Sequence, residues 1–223
     1  MARSRTETSP PLARLYLLVP ASGAAEEIAR LSAEIRRLGE QADIAAVLLR
    51  TGISDATPDA KNGGEALSAP LRPLVEAAHA IEAACLIEGN TALAGTLGAD
   101  GAHLDGTAAL RAALPILRPD GIAGTGGLRS KHDAMTAGEL GTDYVMFGEP
   151  DASGRRPPFE TTLERIDWWA QLFEPPCVGH AASLDEVSAL AKAGADFIAV
   201  DALLLDKPGG AQEVMARIAE MAS

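Results

Sequence analysis

The 223-residue chain is predicted to fold as a single (β/α)8 barrel. Three observations predict it. Eight short apolar runs alternate with longer segments of helical period. The runs are continuous, as strands buried on both faces of a parallel sheet must be. No composition break or linker divides the chain, and eight β/α units fit a domain of roughly 200–250 residues. The rival, an open doubly wound sheet, more often stops at five or six strands.

The first strand spans Leu15–Val19, followed by a helix at Ala24–Leu38. The second spans Ile44–Leu49, followed by a polar loop to Gly64 and a helix at Leu67–Ala80. The third, Ala84–Ile87, leads to a short helix at Thr91–Leu97. The fourth, Gly101–Leu104, leads to a helix at Thr107–Leu114, and the fifth, Gly121–Gly124, to one at Lys131–Leu140. The sixth, Tyr144–Phe147, is followed by a loop through Pro158 and a helix at Thr161–Phe173. The seventh, Cys177–Gly179, precedes a helix at Leu184–Ala193, and the eighth, Phe197–Val200, one at Ala211–Met221. Gly39, Gly98, Gly141 and Gly194 follow helical segments, where a left-handed residue ends a helix well. Ser183 and Thr107 stand where N-caps belong. Residues 1–12 read as a frayed polar tail and 13–223 as the barrel domain.

The composition narrows the partners. Nineteen Lys and Arg against 31 Asp and Glu leave a net charge of −12. Such a surface repels nucleic acid and anionic lipid. No apolar run approaches the ~20 residues of a membrane helix, and the first eleven residues have no signal-peptide core. Cys85 and Cys177 lie far apart in apolar segments and read as reduced thiols of a cytoplasmic protein. Aromatic residues are only 4%, so the core is built from aliphatic side chains. Trp168 and Trp169 pack on a neighbouring helix or on a partner subunit, which makes a homodimer possible.

In a barrel, chemistry sits on the loops after the strand C-termini. Arg50 follows the second strand, Glu88 the third, and Asp105 the fourth. The run from Gly126 and Gly127 to Arg129 and Lys131 follows the fifth. Ser153, Arg155 and Arg156 follow the sixth, and His180 the seventh. Arg50, Arg129, Lys131, Arg155 and Arg156 place positive charge at one mouth of an acidic protein. Arginine forks match phosphate oxygens, and Gly126 and Gly127 can turn N–H groups toward an anion. The alternative is a set of solvated loop charges. Glu88 and Asp105 either hold Mg²⁺ through hard oxygen ligands or pair with Arg50. His103, inside a strand, reads as a satisfied core histidine. His180 is placed for acid–base work or stands by.

Three segments carry a family resemblance. Gly98-Ala99-Asp100-Gly101-Ala102-His103-Leu104 resembles the GADGVHLG segment of thiamine-phosphate synthases. Gly141-Thr142-Asp143-Tyr144-Val145-Met146-Phe147-Gly148 resembles their GADYVGFG, and Ala193 to Val200 their AGADGVAV. Tyr16 and Leu49-Arg50 also fit. The resemblance runs in order from Leu15 to Leu205 and takes in the thiazole tautomerases. It implies a (β/α)8 barrel that joins hydroxymethylpyrimidine diphosphate to thiazole phosphate, releasing diphosphate with Mg²⁺ assistance. Electrostatic grip on the leaving diphosphate is then the main catalytic contribution.

The site motifs depart from that pattern. Of Gln-x-Arg-x-Lys on the second strand only Arg50 remains. Glu88-Gly89 stands for Asn-Asp, Asp105-Gly106 for Gly-Gln, and Ala108 for a metal-binding aspartate. Ser153-Gly154-Arg155-Arg156 replaces Thr-x-Thr-Lys, and His180-Ala181-Ala182 replaces the Gly-Gly-Ile that grips thiazole phosphate. The sequence-level expectation is therefore a synthase-like transferase with Arg50, Arg156 and His180 as catalytic groups. Gly126, Gly127, Arg129, Ser153 and Arg155 join the two arginines in binding phosphate, and Glu88 and Asp105 hold Mg²⁺. The alternatives are a relative acting on another small phosphorylated substrate, and a non-catalytic barrel that binds a phosphorylated ligand.

Overall fold

Eight parallel strands hydrogen-bond in sequence order, and β8 returns to β1 to close the barrel. A computed structural model describes residues 12–21, 24–52, 54–55, 60–151, 153–201 and 209–220, with the side chains of 60–68 outside that description. Of residues 1–12, read above as a tail, 1–11 lie outside it. The strands are β1 Arg14–Pro20, β2 Ile44–Arg50, β3 Ala84–Glu88, β4 Gly101–Asp105, β5 Ile122–Gly126, β6 Tyr144–Phe147, β7 Cys177–His180 and β8 Phe197–Val200. The helices among the described residues are α1 Ala25–Gly39, α2 Ala60–Ala80, α3 Thr91–Leu97, α4 Gly106–Leu117, α5 Lys131–Leu140, α6 Phe159–Leu172, α7 Leu184–Lys192 and α8 Gly210–Glu220.

Strand alternation sorts the side chains into two cores. Leu17, Val47, Ile87, Ala123, Val145, Cys177 and Ile198 point outward and pack under the helices. Tyr16, Leu18, Leu48, Leu86, Tyr144, Met146, Val178 and Ala199 point inward and fill the barrel. Tyr144 needs room there: a Cβ on Gly124 would lie 1.9 Å from its ring. Cys85 and Cys177 are free and buried, and burial pushes both thiols up to about 12.

The three family-like segments have a shared mechanical role. Asp100 accepts from the Cys85 N–H, Asp143 from the Ala123 N–H, and Asp196 from the Cys177 N–H, at 2.7, 2.7 and 2.8 Å. Each aspartate stands just before an even-numbered strand and satisfies a donor at or near the start of the preceding strand. The glycine two positions earlier, at 98, 141 or 194, has φ between +69° and +92° and turns the chain out of its helix.

Three local expectations are corrected. Gly39 ends α1 without a left-handed conformation, and its lack of a side chain admits Ile81, whose Cγ2 would lie 2.4 Å from a Cβ there. Thr107 is not an N-cap: Asp105 takes that position and Gly106, at φ +81°, makes the turn. α2 begins at Ala60 and runs through Gly63 and Gly64, because helix once nucleated extends at small cost per residue. Of the two readings of Trp169 the neighbouring helix holds: it is fully buried, a Cβ on Gly138 of α5 would lie 3.3 Å from its ring, and it stacks on Phe173 and donates to the Pro175 carbonyl. Ser183 caps α7 as expected, accepting from the Glu186 N–H.

Candidate active site

The alternation that fills the barrel continues to its C-terminal mouth. Arg50 stands two residues beyond the inward Leu48, Glu88 two beyond Leu86, and His180 two beyond Val178. Register sets Glu88 beside His103, Asp105 beside Gly126, and His180 beside Ala199. Strand geometry therefore gathers Arg50, Glu88, His103 and His180 at one end.

A buried polar chain crosses this floor. The Tyr16 and Tyr144 hydroxyls are 2.7 Å apart, and Tyr144 Oη lies 2.9 Å from His103 Nδ1. His103 Nε2 lies 3.1 Å from Glu149 Oε2, while Glu149 Oε1 accepts from the Gly127 N–H. One proton arrangement satisfies every atom: Tyr16 donates to Tyr144, Tyr144 to His103 Nδ1, and His103 Nε2–H to Glu149. Burial raises the pKa of both phenols, so they stay protonated. Burial would also raise that of Glu149, but His103 and the Gly127 N–H outweigh it and hold the carboxylate below its usual value. The floor thus carries a fixed negative charge. Gly126 makes room for it, since a Cβ there would lie 1.9 Å from Glu149 Oε1.

His180 is left unsatisfied at both ring nitrogens. It is 3% exposed, and among the described residues neither nitrogen has a hydrogen-bond partner. Burial, with Arg156 nearby, lowers its pKa, so the imidazole is neutral near pH 7. An unsatisfied buried polar group costs about 1–3 kcal/mol, which a ligand reaching the mouth would recover.

The expected cations are distributed differently. Arg50 Nε donates to Glu88 Oε1 at 3.0 Å. Arg156 pairs with Glu186 at 2.8 Å and donates to the carbonyls of His180 and Gly148. Arg155 bonds Ser153 and Asp151 within its own loop and is 82% exposed. Lys131 pairs with Glu164 and sits over Trp168, on the outer ring. Arg129 is exposed, and its carbonyl accepts from Arg165. Gly127 turns its N–H inward at φ +63°, as a nest requires, but toward Glu149. The Ala182 N–H likewise meets the Glu186 carboxylate. The structure thus brings Arg50, Glu88, Gly126, Gly127 and His180 to one floor with Asp105 at its edge, Arg156 behind His180, and Ser153, Arg129 and Arg155 outside.

Sequence reasoning missed Glu149, Tyr16 and Tyr144 as members of the site. The signals were the position of Glu149 two residues past β6 and the inward phase of both tyrosines. His103 is satisfied at both nitrogens, as read, yet belongs to the site's floor. As they stand, Glu88 and Asp105 do not form a metal site. Glu88 is bonded to Arg50, Asp105 Oδ1 lies against the Gly127 backbone, and among the described residues no three His, Cys, Asp or Glu groups converge.

Comparison with known proteins covers nearly the whole barrel. The family described as thiamine monophosphate synthase matches residues 22–203. A thiamine-phosphate synthase of Rhodospirillum centenum is 34% identical over 200 residues, spanning 88% of this chain and 91% of that protein. One of Hyphomonas neptunium is 33% identical over 196 residues, 85% of each chain. Among solved structures, a thiamine phosphate pyrophosphorylase from Pyrococcus furiosus superposes with a TM-score of 0.68 at 19% identity, covering 94% of this chain and 97% of its own. An orotidine 5′-phosphate decarboxylase from Pyrococcus horikoshii superposes at 0.61 with 13% identity, covering 94% and 100%. The two structures share the fold.

Proposed function

This chain belongs to the thiamine monophosphate synthase family, and we propose that it is a transferase that joins hydroxymethylpyrimidine diphosphate to thiazole phosphate. The bond from the pyrimidine methylene to the diphosphate oxygen breaks, the thiazole nitrogen forms the new C–N bond, and diphosphate leaves. The observation that carries this reading is the 34% identity over 200 residues with a thiamine-phosphate synthase.

The site's own groups fit a dissociative displacement. Glu149 provides a fixed negative charge toward positive charge developing on the ring, and a preorganised charge costs no reorganisation at the moment of reaction. Arg50 supplies positive charge toward the leaving diphosphate, from a rigid strand end. Arg156 acts behind His180 by fixing its backbone. Glu88, bonded to Arg50, and Asp105, against the Gly127 backbone, do not form a metal site as they stand. As proposals, Mg²⁺ carried by the diphosphate follows from the resemblance, phosphate binding from the arginines at the strand ends, a cytoplasmic location from the free thiols of Cys85 and Cys177, and a homodimer from the half-buried Trp168 on α6.

One observation favours a substrate held differently from the family's pattern: the Gly127 N–H, expected to turn toward phosphate, and the Ala182 N–H, where the family's thiazole-phosphate motif is replaced, both donate to the protein's own carboxylates. The deciding experiment incubates the protein with the two substrates and Mg²⁺ and follows thiamine phosphate by chromatography. Turnover near the usual ~1 s⁻¹ or above supports the synthase. No product, together with binding of another phosphorylated compound, refutes it.

A further inference from the structure

Two side chains at the floor have hydrogen-bonding capacity that the protein leaves unused. His180 is buried, faces the barrel interior, and offers one acceptor nitrogen and one N–H with no partner. Glu149 spends one position of each carboxylate oxygen, on His103 and on Gly127, and a carboxylate has about four. The strands that lead to them are neighbours, with Phe147 opposite Gly179, and Arg156 donates to the carbonyls of both Gly148 and His180. Gly148 joins them structurally: it precedes Glu149, and a Cβ on it would lie 3.4 Å from the His180 carbonyl.

The free set is an anionic acceptor beside a neutral donor and acceptor. A phosphate does not match it, because Glu149 would repel it. A nitrogen heterocycle with an amino group next to a ring nitrogen does match. It presents a donor and an acceptor side by side on one rigid edge. We propose that Glu149 and His180 form a subsite for this edge, with the amino N–H donating to Glu149 and the ring nitrogen accepting from His180. The choice of an aminopyrimidine rests on the function proposed above, and the assignment of the residues that read the ring goes beyond it. Tyr16, Tyr144 and His103 are positioning residues that fix the Glu149 carboxylate. Gly126 is required because any side chain there would displace it.

The test uses two rings without phosphate, 4-amino-5-hydroxymethyl-2-methylpyrimidine and the same ring lacking the amino group. Binding of each to the full chain is measured calorimetrically. The parent should prefer the amino ring about tenfold or more, the lower end for a hydrogen bond to a charged group. Glu149→Gln and Gly126→Ala should each erase most of that preference, the second by moving the carboxylate without removing it. His180→Ala should weaken both rings by a similar factor, since both keep the ring nitrogen. Equal binding of the two rings by the parent overturns the proposal. So does undetectable binding of either ring up to about 10 mM, or an undiminished preference in Glu149→Gln. Neither ring can react, so the two readings separate. Ring preference without thiamine phosphate formation removes the coupling reading alone. Coupling without ring preference removes this one.

Discussion

Tyr144→Phe deletes one buried oxygen and strands two partners. In the parent, Tyr144 Oη meets the Tyr16 hydroxyl at 2.7 Å and His103 Nδ1 at 2.9 Å, and Tyr16, Tyr144 and His103 are all at most 6% exposed. The substitution leaves a donor and an acceptor unpaired, at about 1–3 kcal/mol each, so a loss of about 2–6 kcal/mol is expected. Tyr16→Phe is milder. Tyr144 still donates to His103, so the loss is that of one ordinary hydrogen bond, about 0.5–1.5 kcal/mol. The double variant is the discriminating case. With both hydroxyls gone only His103 Nδ1 lacks a partner, and the expected cost falls to about 1–3 kcal/mol. Adding Tyr16→Phe to Tyr144→Phe should therefore restore stability by about 1 kcal/mol. Urea unfolding at unchanged m reads this directly, and for a chain of this size the midpoint temperature should recover by about 2–4 °C. A double variant less stable than Tyr144→Phe alone would refute the relay and the proton directions assigned to it.

Other expectations follow from the same geometry. Arg50→Ala should weaken diphosphate binding by about 1.5 kcal/mol, the low end for a charged hydrogen bond because Arg50 is 40% exposed; equal calorimetric affinity in parent and variant would remove Arg50 from the site. His180 has a lowered pKa, so the unfolded state binds its proton first and stability is lost as pH falls below 6.5. Melting temperatures between pH 8 and 5 should therefore drop less steeply in His180→Gln, and identical limbs would contradict the buried, neutral imidazole. The free protein should bind Mg²⁺ only weakly, because Glu88 is bonded to Arg50 and among the described residues no third ligand converges; a titration giving a dissociation constant below about 10 μM would overturn that reading. Asp196→Ala should destabilise by about 1–3 kcal/mol by orphaning the Cys177 N–H, whereas a loss under about 0.5 kcal/mol in urea unfolding would deny its role as a strand pin.

Much of the fold was legible because local rules and the global architecture agree. Continuous apolar runs demand a sheet covered on both faces, and eight of them at this spacing leave little but a closed barrel. α3, α5, β6 and β8 fall at the expected residues, since glycine at 98 and 141 and the caps at Asn90 and Ser130 mark helix ends by chemistry written into the chain. Position just past a strand C-terminus likewise places Arg50, Glu88 and His180 at one mouth. What could not be read was the direction of each charge. Arg50 turns to Glu88, Lys131 to Glu164, Arg155 to its own loop, and Arg156 to Glu186, and each choice depends on a partner 4 to 38 residues away. Charge at a strand end says which groups share a rim, but Coulomb energies change steeply over a few ångströms. The pairing is therefore decided only when the strands take their register. The same holds for Glu149. Its position two residues past β6 puts it at the mouth, but the sequence does not say what it bonds. Closure of the barrel brings it within reach of His103, 46 residues earlier, and of the Gly127 N–H.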